Sequence, residues 1–303
     1  MSRYESSVSH EIEQFNLGKH IEELETDGLT IVPSEVTGVA PELIDRCAGV
    51  LLERFTELTG CPITIEDGPL KDLVWPEGNE HRFLSSPEAP DPNQVLLQQL
   101  LLVDRCFRDL SLNPVVDVLV NHLMGEQTQN SGRARRLSST NSFIKWQGEY
   151  GYGPGLGLHC DQVSNPFPWG RTALTANVTW ALTDYSLGAG ALAYVPGSHK
   201  SNSHPTRSAA SDAIAVEAPR GSAIVFHGAT WHGAFPKLSP GLRLCAVMYY
   251  RHMSVLPQEN LRVTMADKPW DDCDNPELMR ELIGFDDLFP YTDQGFPMPR
   301  VVL

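Results

Sequence analysis

Two side chains of metal-binding type lie two positions apart in the segment GLGLHCDQ, where His159 and Asp161 flank Cys160. Residues i and i+2 of a strand point to the same face, so an imidazole and a carboxylate would converge there. Two histidines and one carboxylate, with open coordination positions opposite them, form the facial triad of non-haem iron(II) oxygenases. A His-x-Asp pair alone is a frequent chance match, and a surface histidine beside a turn aspartate is the alternative.

A second segment, FHGATWHG, offers His227 and His232 as the third ligand, and Arg243 follows it. If an antiparallel hairpin turns near residues 237–238, His232 lies opposite Arg243, with Cβ atoms about 5 Å apart. A guanidinium there can pair with the far carboxylate of a molecule that chelates the metal. We therefore predict that His232 is the ligand. The alternatives are a strand-end histidine bonded to backbone and an arginine on the barrel exterior.

The segments that carry these residues have the pattern of strands. Apolar and polar residues alternate through TALTANVTWALTD, which puts Trp180 on one face and Asn177 and Thr179 on the other. Glycine- and proline-bearing turns separate the other predicted strands, which are STNSFIKW, GALAYVPGSH, DAIAVEAP, GSAIVFHG and LRLCAVMYYRHM.

The amino-terminal half has helical patterns instead. Apolar spacing predicts helices in residues 10–26 and 40–58, and in NQVLLQQLLLVDRCFRDL and PVVDVLVNHLMG between 93 and 125. DGLTIVPSEV predicts a short strand, and residues 60–92 have the composition of loops. Residues 257–295 are expected to be irregular apart from a helix in PELMRELIG.

Helices followed by many short strands indicate a mainly β fold with flanking helices. We expect a double-stranded β-helix, a barrel of the jelly-roll or cupin type. A chain of this length can form one domain over residues 1–303. Within it we expect helical support in 1–138, the barrel core with the metal site in 139–253, and a carboxyl-terminal extension in 254–303.

The composition restricts partners and location. A formal net charge of −15 argues against a nucleic-acid-binding surface, although it leaves room for a local anion pocket. The first residues lack the apolar run of a secretory signal, and no stretch approaches the ~20 apolar residues of a membrane span. The six cysteines form no CxxC pair. These features favour a cytoplasmic protein that binds neither nucleic acid nor a membrane. We expect its partner to be a small-molecule substrate, and its oligomeric state stays open.

The stretch from about Asn141 to Arg251 resembles the phytanoyl-CoA dioxygenase family of iron(II)/2-oxoglutarate oxygenases. The segments HCD, TWALTD, GALAYVPGSHK and FHGATWHG, together with Arg243, carry this resemblance. The opening DGLTIVP is also similar to the family's amino-terminal part, whereas residues 60–140 are similar only loosely. The resemblance implies that iron(II), 2-oxoglutarate and oxygen are used. It implies that three residues bind iron and a fourth binds the distal carboxylate of 2-oxoglutarate, namely His159, Asp161 and His232, and Arg243.

Two further positions follow from the resemblance. Trp180 stands where the family has a tryptophan near the co-substrate, so the resemblance implies that it contacts 2-oxoglutarate. The strand alternation puts Trp180 opposite the polar face, and a core position is the alternative. Many members have a serine two residues after the distal histidine, where this chain has Ala234. A hydrogen bond to the co-substrate is then lost or supplied by another residue.

Several functions are compatible with these residues. We expect hydroxylation of an unactivated C–H bond in a small, largely apolar metabolite, with release of succinate and carbon dioxide. The alternatives are desaturation, epoxidation or ring formation in secondary metabolism, and a non-catalytic small-molecule binder. Halogenation is disfavoured because Asp161 stands where a halide would bind, and Arg243 argues against a cupin-type enzyme that needs no 2-oxoglutarate. An acyl-CoA substrate would need free cations, for which GRARR at 132–136 is the best candidate.

Overall fold

The helices pack on one side of the fold. The computed structural model describes residues 5–69, 82–83, 93–125, 133–149, 151–165 and 167–287. None of the helices in these residues is long and apolar enough to cross a membrane. The helices are α1 (Glu5–Gln14), α2 (Gly18–Thr26), α3 (Ser34–Thr37), α4 (Pro41–Thr59), α5 (Leu100–Val103), α6 (Arg105–Ser111), α7 (Pro114–Met124), α8 (Leu261–Thr264) and α9 (Pro276–Leu282).

The two long helices begin and end at residues suited to those positions. Helix α4 has Pro41 in its first turn and ends at Gly60, whose φ of 64° is the left-handed conformation that glycine adopts without strain. Helix α7 has Pro114 in its first turn, and the side chain of Asn113 accepts hydrogen bonds from two of its free N–H groups. The start of each helix and the end of α4 were therefore predictable from residue types alone.

Ten strands in the described part of the chain form two antiparallel sheets. The large sheet has the order β1-β8-β5-β10-β4-β3-β2, and the small sheet has the order β7-β6-β9. The strands are β1 (Leu29–Val32), β2 (Arg82–Phe83), β3 (Gln94–Gln98), β4 (Arg135–Lys145), β5 (Thr175–Ala181), β6 (Leu192–Tyr194), β7 (Ile214–Ala215), β8 (Ala223–His227), β9 (His232–Ala234) and β10 (Cys245–His252).

The two sheets pack face to face. Leu192 of β6 lies in one buried cluster with Phe226 of β8 and Val247 of β10. His159 pairs through its backbone with His232, which adds one more chain segment to the small sheet beside β9. In the described residues no continuous ladder of strands closes the two sheets into a barrel. This arrangement is a jelly-roll, or double-stranded β-helix, as the sequence predicted.

The outer face of the large sheet packs against the helices. Ala176, Val178 and Trp180 of β5 are all fully buried in the same cluster as Leu119 of α7. The alternate residues of β5 point to the inner face, between the sheets. The large sheet therefore separates a helix-packed core from a cavity on its other side.

One predicted helix is partly wrong. Residues 94–98 of NQVLLQQLLLVDRCFRDL form strand β3, which pairs with β4, and helix begins only at Leu100. Residues 60–69 contain no helix or strand, as expected, whereas residues 82–83 form the short strand β2, which was not predicted. The rest of 60–92 lies outside the described residues. The helix predicted in PELMRELIG is α9, preceded by α8, and residues 288–295 lie outside the described residues.

Candidate metal centre

Three side chains of metal-binding type converge in the cavity between the sheets. Nε2 of His159 and Nε2 of His232 each lie 3.7 Å from Oδ1 of Asp161. One ligand atom from each residue lies within 4.8 Å of the other two, and no other such set occurs in the described residues. His159 and His232 are held together because each backbone N–H donates to the other's carbonyl at 2.9 Å.

Backbone carbonyls fix the orientation of both imidazoles. Nδ1 of His159 donates to the carbonyl of Gly157 at 2.9 Å, and Nδ1 of His232 donates to that of Thr230 at 2.9 Å. Each ring therefore presents Nε2 to the space beside Asp161. Burial, with a smaller effect from His159, lowers the pKa of His232 to about 4, so this ring is neutral near pH 7, as a metal ligand must be.

A chain of hydrogen bonds holds the carboxylate of Asp161. Asn177 Nδ2 donates to its Oδ2 at 3.4 Å, and Thr179 donates to Asn177 Oδ1 at 3.1 Å. The hydroxyl of Tyr249 donates to the backbone carbonyl of Asp161 at 3.2 Å. Oδ1 alone thus faces the two histidines. Sequence reasoning assigned no role to these supporting residues, although the polar face of β5 pointed to Asn177 and Thr179.

A glycine-rich turn makes the approach of His159 to β9 possible. Gly155 and Gly157 have φ values of 60° and 64°, which glycine tolerates. A Cβ atom on Gly233 would lie 2.2 Å from the carbonyl oxygen of Leu156, so only glycine fits at this crossing. The ring of Tyr152 stacks on His159 with centroids 5.4 Å apart and limits its rotation.

Arg243 lies at the inner end of the same cavity, and it is 5% exposed. Its Nη1 donates to the hydroxyl of Tyr185 at 3.2 Å, whereas its buried Nε has no partner. The predicted hairpin is wrong, because β9 belongs to the small sheet and β10 to the large one. Arg243 instead pairs through its backbone with Lys145 of β4. His232 and Arg243 reach one cavity from facing sheets.

Arg243 is the one cationic side chain, histidines apart, among the described residues that line the cavity. Lys145 and Lys237 lie near Arg243, and all three are at most 5% exposed. Neither lysine lines the cavity, and both ammonium groups donate to backbone carbonyls. In the described residues none of them forms an ion pair with a carboxylate. Burial first, then the charges of Arg243 and Lys237, lowers the pKa of Lys145 to about 6. A buried guanidinium without an anion is unfavourable, so the part of the cavity at Arg243 is suited to a carboxylate ligand.

The donor set therefore fits iron(II) with 2-oxoglutarate. Two imidazoles and one carboxylate are the ligands of an open non-haem iron site, and the unpartnered Nε of Arg243 fits a carboxylate. The cavity has a volume of about 370 Å³, which suits a small molecule. Its apolar lining includes Phe143, Tyr152, Val163, Leu192 and Phe226.

Trp180 and His227 lie outside this site. Trp180 is fully buried in the helix-packed core, on the face of β5 opposite Asn177 and Thr179, and it does not line the cavity. The structure thus corrects the expected position of Trp180 and supports the strand alternation. His227 ends β8, its Nδ1 accepts from the N–H of Ala229 at 3.0 Å, and it does not line the cavity.

Comparison with known proteins points to one enzyme family. The chain matches the phytanoyl-CoA dioxygenase (PhyH) family over residues 75–245. Dioxygenase af480 from Aspergillus fumigatus is 28% identical over 146 residues, which are 47% of this chain and 43% of that protein. The match therefore spans less than half the length of that relative.

Solved structures share the fold. SnoN, described as an epimerase in complex with Fe3+, alpha ketoglutarate and nogalamycin RO, superposes with a TM-score of 0.55 at 18% identity, over 78% of this chain and 84% of that chain. SnoK, described as a carbocyclase from nogalamycin biosynthesis, gives 0.53 at 16% identity, over 78% and 83%. The family match covers more than half of the chain. The chain belongs to the phytanoyl-CoA dioxygenase family, whose members are non-haem iron enzymes that use 2-oxoglutarate.

Proposed function

We propose that the chain is an iron(II)- and 2-oxoglutarate-dependent dioxygenase that hydroxylates an unactivated C–H bond of a small molecule. The carrying observation is that one cavity is lined by two imidazoles, one carboxylate and an under-partnered buried guanidinium. In this proposal His159, Asp161 and His232 hold the iron, and Arg243 pairs with the distal carboxylate of 2-oxoglutarate. Residues 1–303 act as one domain, since β1 and β3 complete the sheet that carries the site.

Each residue has a defined task in this reaction. Bound iron supplies the activation of oxygen, coupled to oxidative decarboxylation of 2-oxoglutarate to succinate and carbon dioxide. Asn177 keeps Oδ2 of Asp161 turned away, so the carboxylate offers one oxygen and leaves coordination positions free. Arg243 orients the co-substrate along the cavity, and the apolar walls exclude water and position the C–H bond.

The substrate in this proposal is a small metabolite rather than an acyl-CoA. The arginines of the segment GRARR are already paired with carboxylates. Arg133 contacts Glu11 and Asp117, Arg135 contacts Asp117 and Glu281, and Arg136 contacts Asp287. They are therefore not free to bind the phosphates of coenzyme A.

Other outcomes with the same cofactors stay open to the same test. SnoN and SnoK have this fold and are named as an epimerase and a carbocyclase, so ring formation or desaturation is the second candidate. Asp161 occupies the carboxylate position of the triad, which disfavours halogenation.

The test is a reconstitution with iron(II) under anaerobic conditions, followed by 2-oxoglutarate, a panel of small metabolites and ¹⁸O₂. We expect succinate in proportion to substrate consumed, with one labelled oxygen atom in the product. A desaturated or cyclised product without label would select the second candidate. The proposal fails if oxygen is consumed without succinate, or if the product forms without 2-oxoglutarate. Asp161→Ala is the control that should form no product.

A further inference from the structure

One wall of the cavity carries amide side chains. Strands β3 and β4 pair so that Gln98 lies opposite Asn141, and Gln94 lies opposite Lys145. Gln94, Gln98 and Asn141 all line the cavity, and they occupy alternate positions that face the same side of the sheet. We call these three residues the amide wall. The other side of the cavity, formed by β6 and β8, contributes Leu192 and Phe226.

Two acceptors of the amide wall have no partner. Oε1 of Gln94 and Oδ1 of Asn141 are buried, and neither accepts a hydrogen bond. Gln94 is 1% exposed, and its Nε2 donates to the carbonyl of Gly151 at 3.3 Å, which fixes which end of the amide is free. Buried polar groups nearly always have partners, because an unmade hydrogen bond is unfavourable. Both oxygens therefore indicate a donor that a ligand supplies.

The cavity has no charge left for the substrate. Among its described lining residues, the only carboxylate or cationic side chains are Asp161 and Arg243, apart from the two histidines. The proposed function assigns Asp161 to iron and Arg243 to 2-oxoglutarate. An ionised group on the substrate would be desolvated here without a counter-charge, which is strongly unfavourable. An uncharged molecule has no such penalty.

We propose that the amide wall is the substrate-recognition surface, and that the substrate is an uncharged molecule that donates hydrogen bonds to it. The donors are hydroxyl or amide N–H groups that meet Asn141 and Gln94, while an apolar edge packs on Leu192 and Phe226. This inference rests on the proposed function and narrows its substrate class. A purely apolar substrate would leave both acceptors unsatisfied.

The first test asks whether Asn141 has a structural or a binding role. A residue that is kept for stability has satisfied hydrogen bonds, as does Asn121, whose Nδ2 donates to Asp117. Asn141→Leu replaces an unpartnered polar group with an apolar one. We expect its melting temperature to equal or exceed that of the wild type, whereas Asn121→Leu should melt about 2 °C lower or more. A loss in Asn141→Leu as large as in Asn121→Leu overturns the proposal.

The second test measures binding to the anaerobic iron(II)–2-oxoglutarate complex by titration calorimetry. The probes share one skeleton: 4-phenylbutanamide, 4-phenylbutanol, 4-phenylbutanoate and butylbenzene. We expect the amide or the alcohol to bind at least about tenfold more tightly than the anion and the hydrocarbon, the gain of one good hydrogen bond. If the amide binds more tightly than the alcohol, the preferred donor is an amide N–H group, and the reverse order indicates a hydroxyl group. Preference for the anion or the hydrocarbon, or no binding by any probe, overturns the proposal.

Variants link this selectivity to the wall. Asn141→Leu should reduce the preference for the neutral donor to within about twofold. Gln98 is exposed and lies opposite Asn141 in the pairing of β3 with β4, so Gln98→Leu is a second variant that does not disturb buried structure. Selectivity retained in both variants overturns the proposal, as does a tenfold weaker affinity for 2-oxoglutarate in Asn141→Leu, which would assign the amide to the co-substrate. Failure to bind iron or 2-oxoglutarate at all would instead refute the proposed function.

Discussion

His227 and His232 lie five positions apart in the chain, and the fold gives them different surroundings. His232 lines the cavity with its Nε2 directed at Asp161, whereas His227 lies near His199, with ring centroids 5.5 Å apart. Nδ1 of His227 accepts a hydrogen bond from backbone, which is a structural contact. The strand that presents a histidine thus decides whether its ring can reach a metal site, and the residue type alone does not.

This difference gives the first prediction. His232→Ala should weaken binding of iron(II), or of cobalt(II) as a spectroscopic probe, by about a hundredfold or more, because even supporting residues of metal sites contribute ten- to a hundredfold. His227→Ala is the matched control, which should keep wild-type metal affinity while losing stability. Anaerobic metal titration measures both. Loss of the metal in His227→Ala with retention in His232→Ala would reverse our assignment.

The second prediction concerns Arg243. Arg243→Leu should raise the dissociation constant of 2-oxoglutarate by about a hundredfold, since a charge-assisted pair in a dry pocket contributes a few kcal/mol. Arg243→Lys should recover little of this, because an ammonium cannot reproduce the planar fork. Titration calorimetry with the iron-loaded protein gives the constants. Arg54→Leu, which removes an exposed partner of Glu57 only, is the control. An unchanged constant in Arg243→Leu would remove the role of Arg243.

Residue types and spacing alone grouped His159 with Asp161, because the side chains of His-x-Asp in an extended segment share one face. The hairpin that placed His232 opposite Arg243 was wrong, and the family resemblance supplied the set of four. The supporting residues were not predictable in the same manner. Asn177 and Thr179 have ordinary places on a polar strand face, and only the pairing of β5 with β10 brings Tyr249 opposite Asn177. Trp180 shows the reverse case, where the local alternation gave its position and the resemblance did not.

At the scale of elements, β9 and the glycine-rich turn before His159 must pass in contact. Gly233→Ala would place a Cβ atom 2.2 Å from the carbonyl oxygen of Leu156, and backbone pairing prevents the two segments from separating. We expect at least about tenfold weaker metal binding, because His159 must move. Gly188→Ala, with no atom within 4 Å of the added carbon, is the control. Equal metal affinities in the two variants would contradict this account.

The elements that sequence predicted wrongly share a physical cause. The run from Gln94 to Val103 is apolar on most positions, so its pattern fits both a buried strand and a helix. Residues 94–98 form a strand because they pair with β4, and that pairing is a long-range contact that the local pattern does not show. The hairpin failed for a similar reason, since PKLSPG connects two sheets instead of turning within one. Helices α4 and α7, whose ends are local, were predicted well.

At the scale of the whole molecule, a buried ion-pair cluster connects helices α1, α7 and α9 to strand β4 of the large sheet. Asp117 of α7 contacts Arg133 and Arg135, which also contact Glu11 of α1 and Glu281 of α9. Asp117→Asn should lower the free energy of unfolding by about 3 kcal/mol, because it leaves buried guanidinium groups under-compensated. Urea unfolding measures this. Asp45→Asn, in an exposed pair with Arg220, should change it by less than about 1 kcal/mol. Equal effects would contradict a stabilising role for the cluster.

Buried histidines set the response of the whole molecule to acid. Burial is the main cause that lowers the pKa of His20, and the same holds for His122 and His199. For His227 and His232, burial lowers the pKa to about 4. A group whose pKa is depressed in the folded state stabilises the fold above its unfolded pKa, and this stability is lost as pH falls through the folded pKa. Glu259 has the opposite effect on stability, because burial raises its pKa to about 7. The stability that it contributes is present in acid and is lost as pH rises towards 7.

The free energy of unfolding of the metal-free protein should therefore fall as pH decreases from about 6.5 towards about 4. In this range the histidines of the unfolded chain bind protons, whereas the buried histidines of the folded chain stay neutral. A shift of this size in His227 alone corresponds to about 3 kcal/mol over that window. His227→Gln keeps a polar side chain but does not titrate, so it should be less stable near neutrality and show a shallower decline in acid. Urea unfolding at a series of pH values gives both slopes. A variant slope as steep as that of the wild type would mean that His227 is protonated in the folded protein as readily as in the unfolded chain, and the acid sensitivity would then have to come from other buried groups.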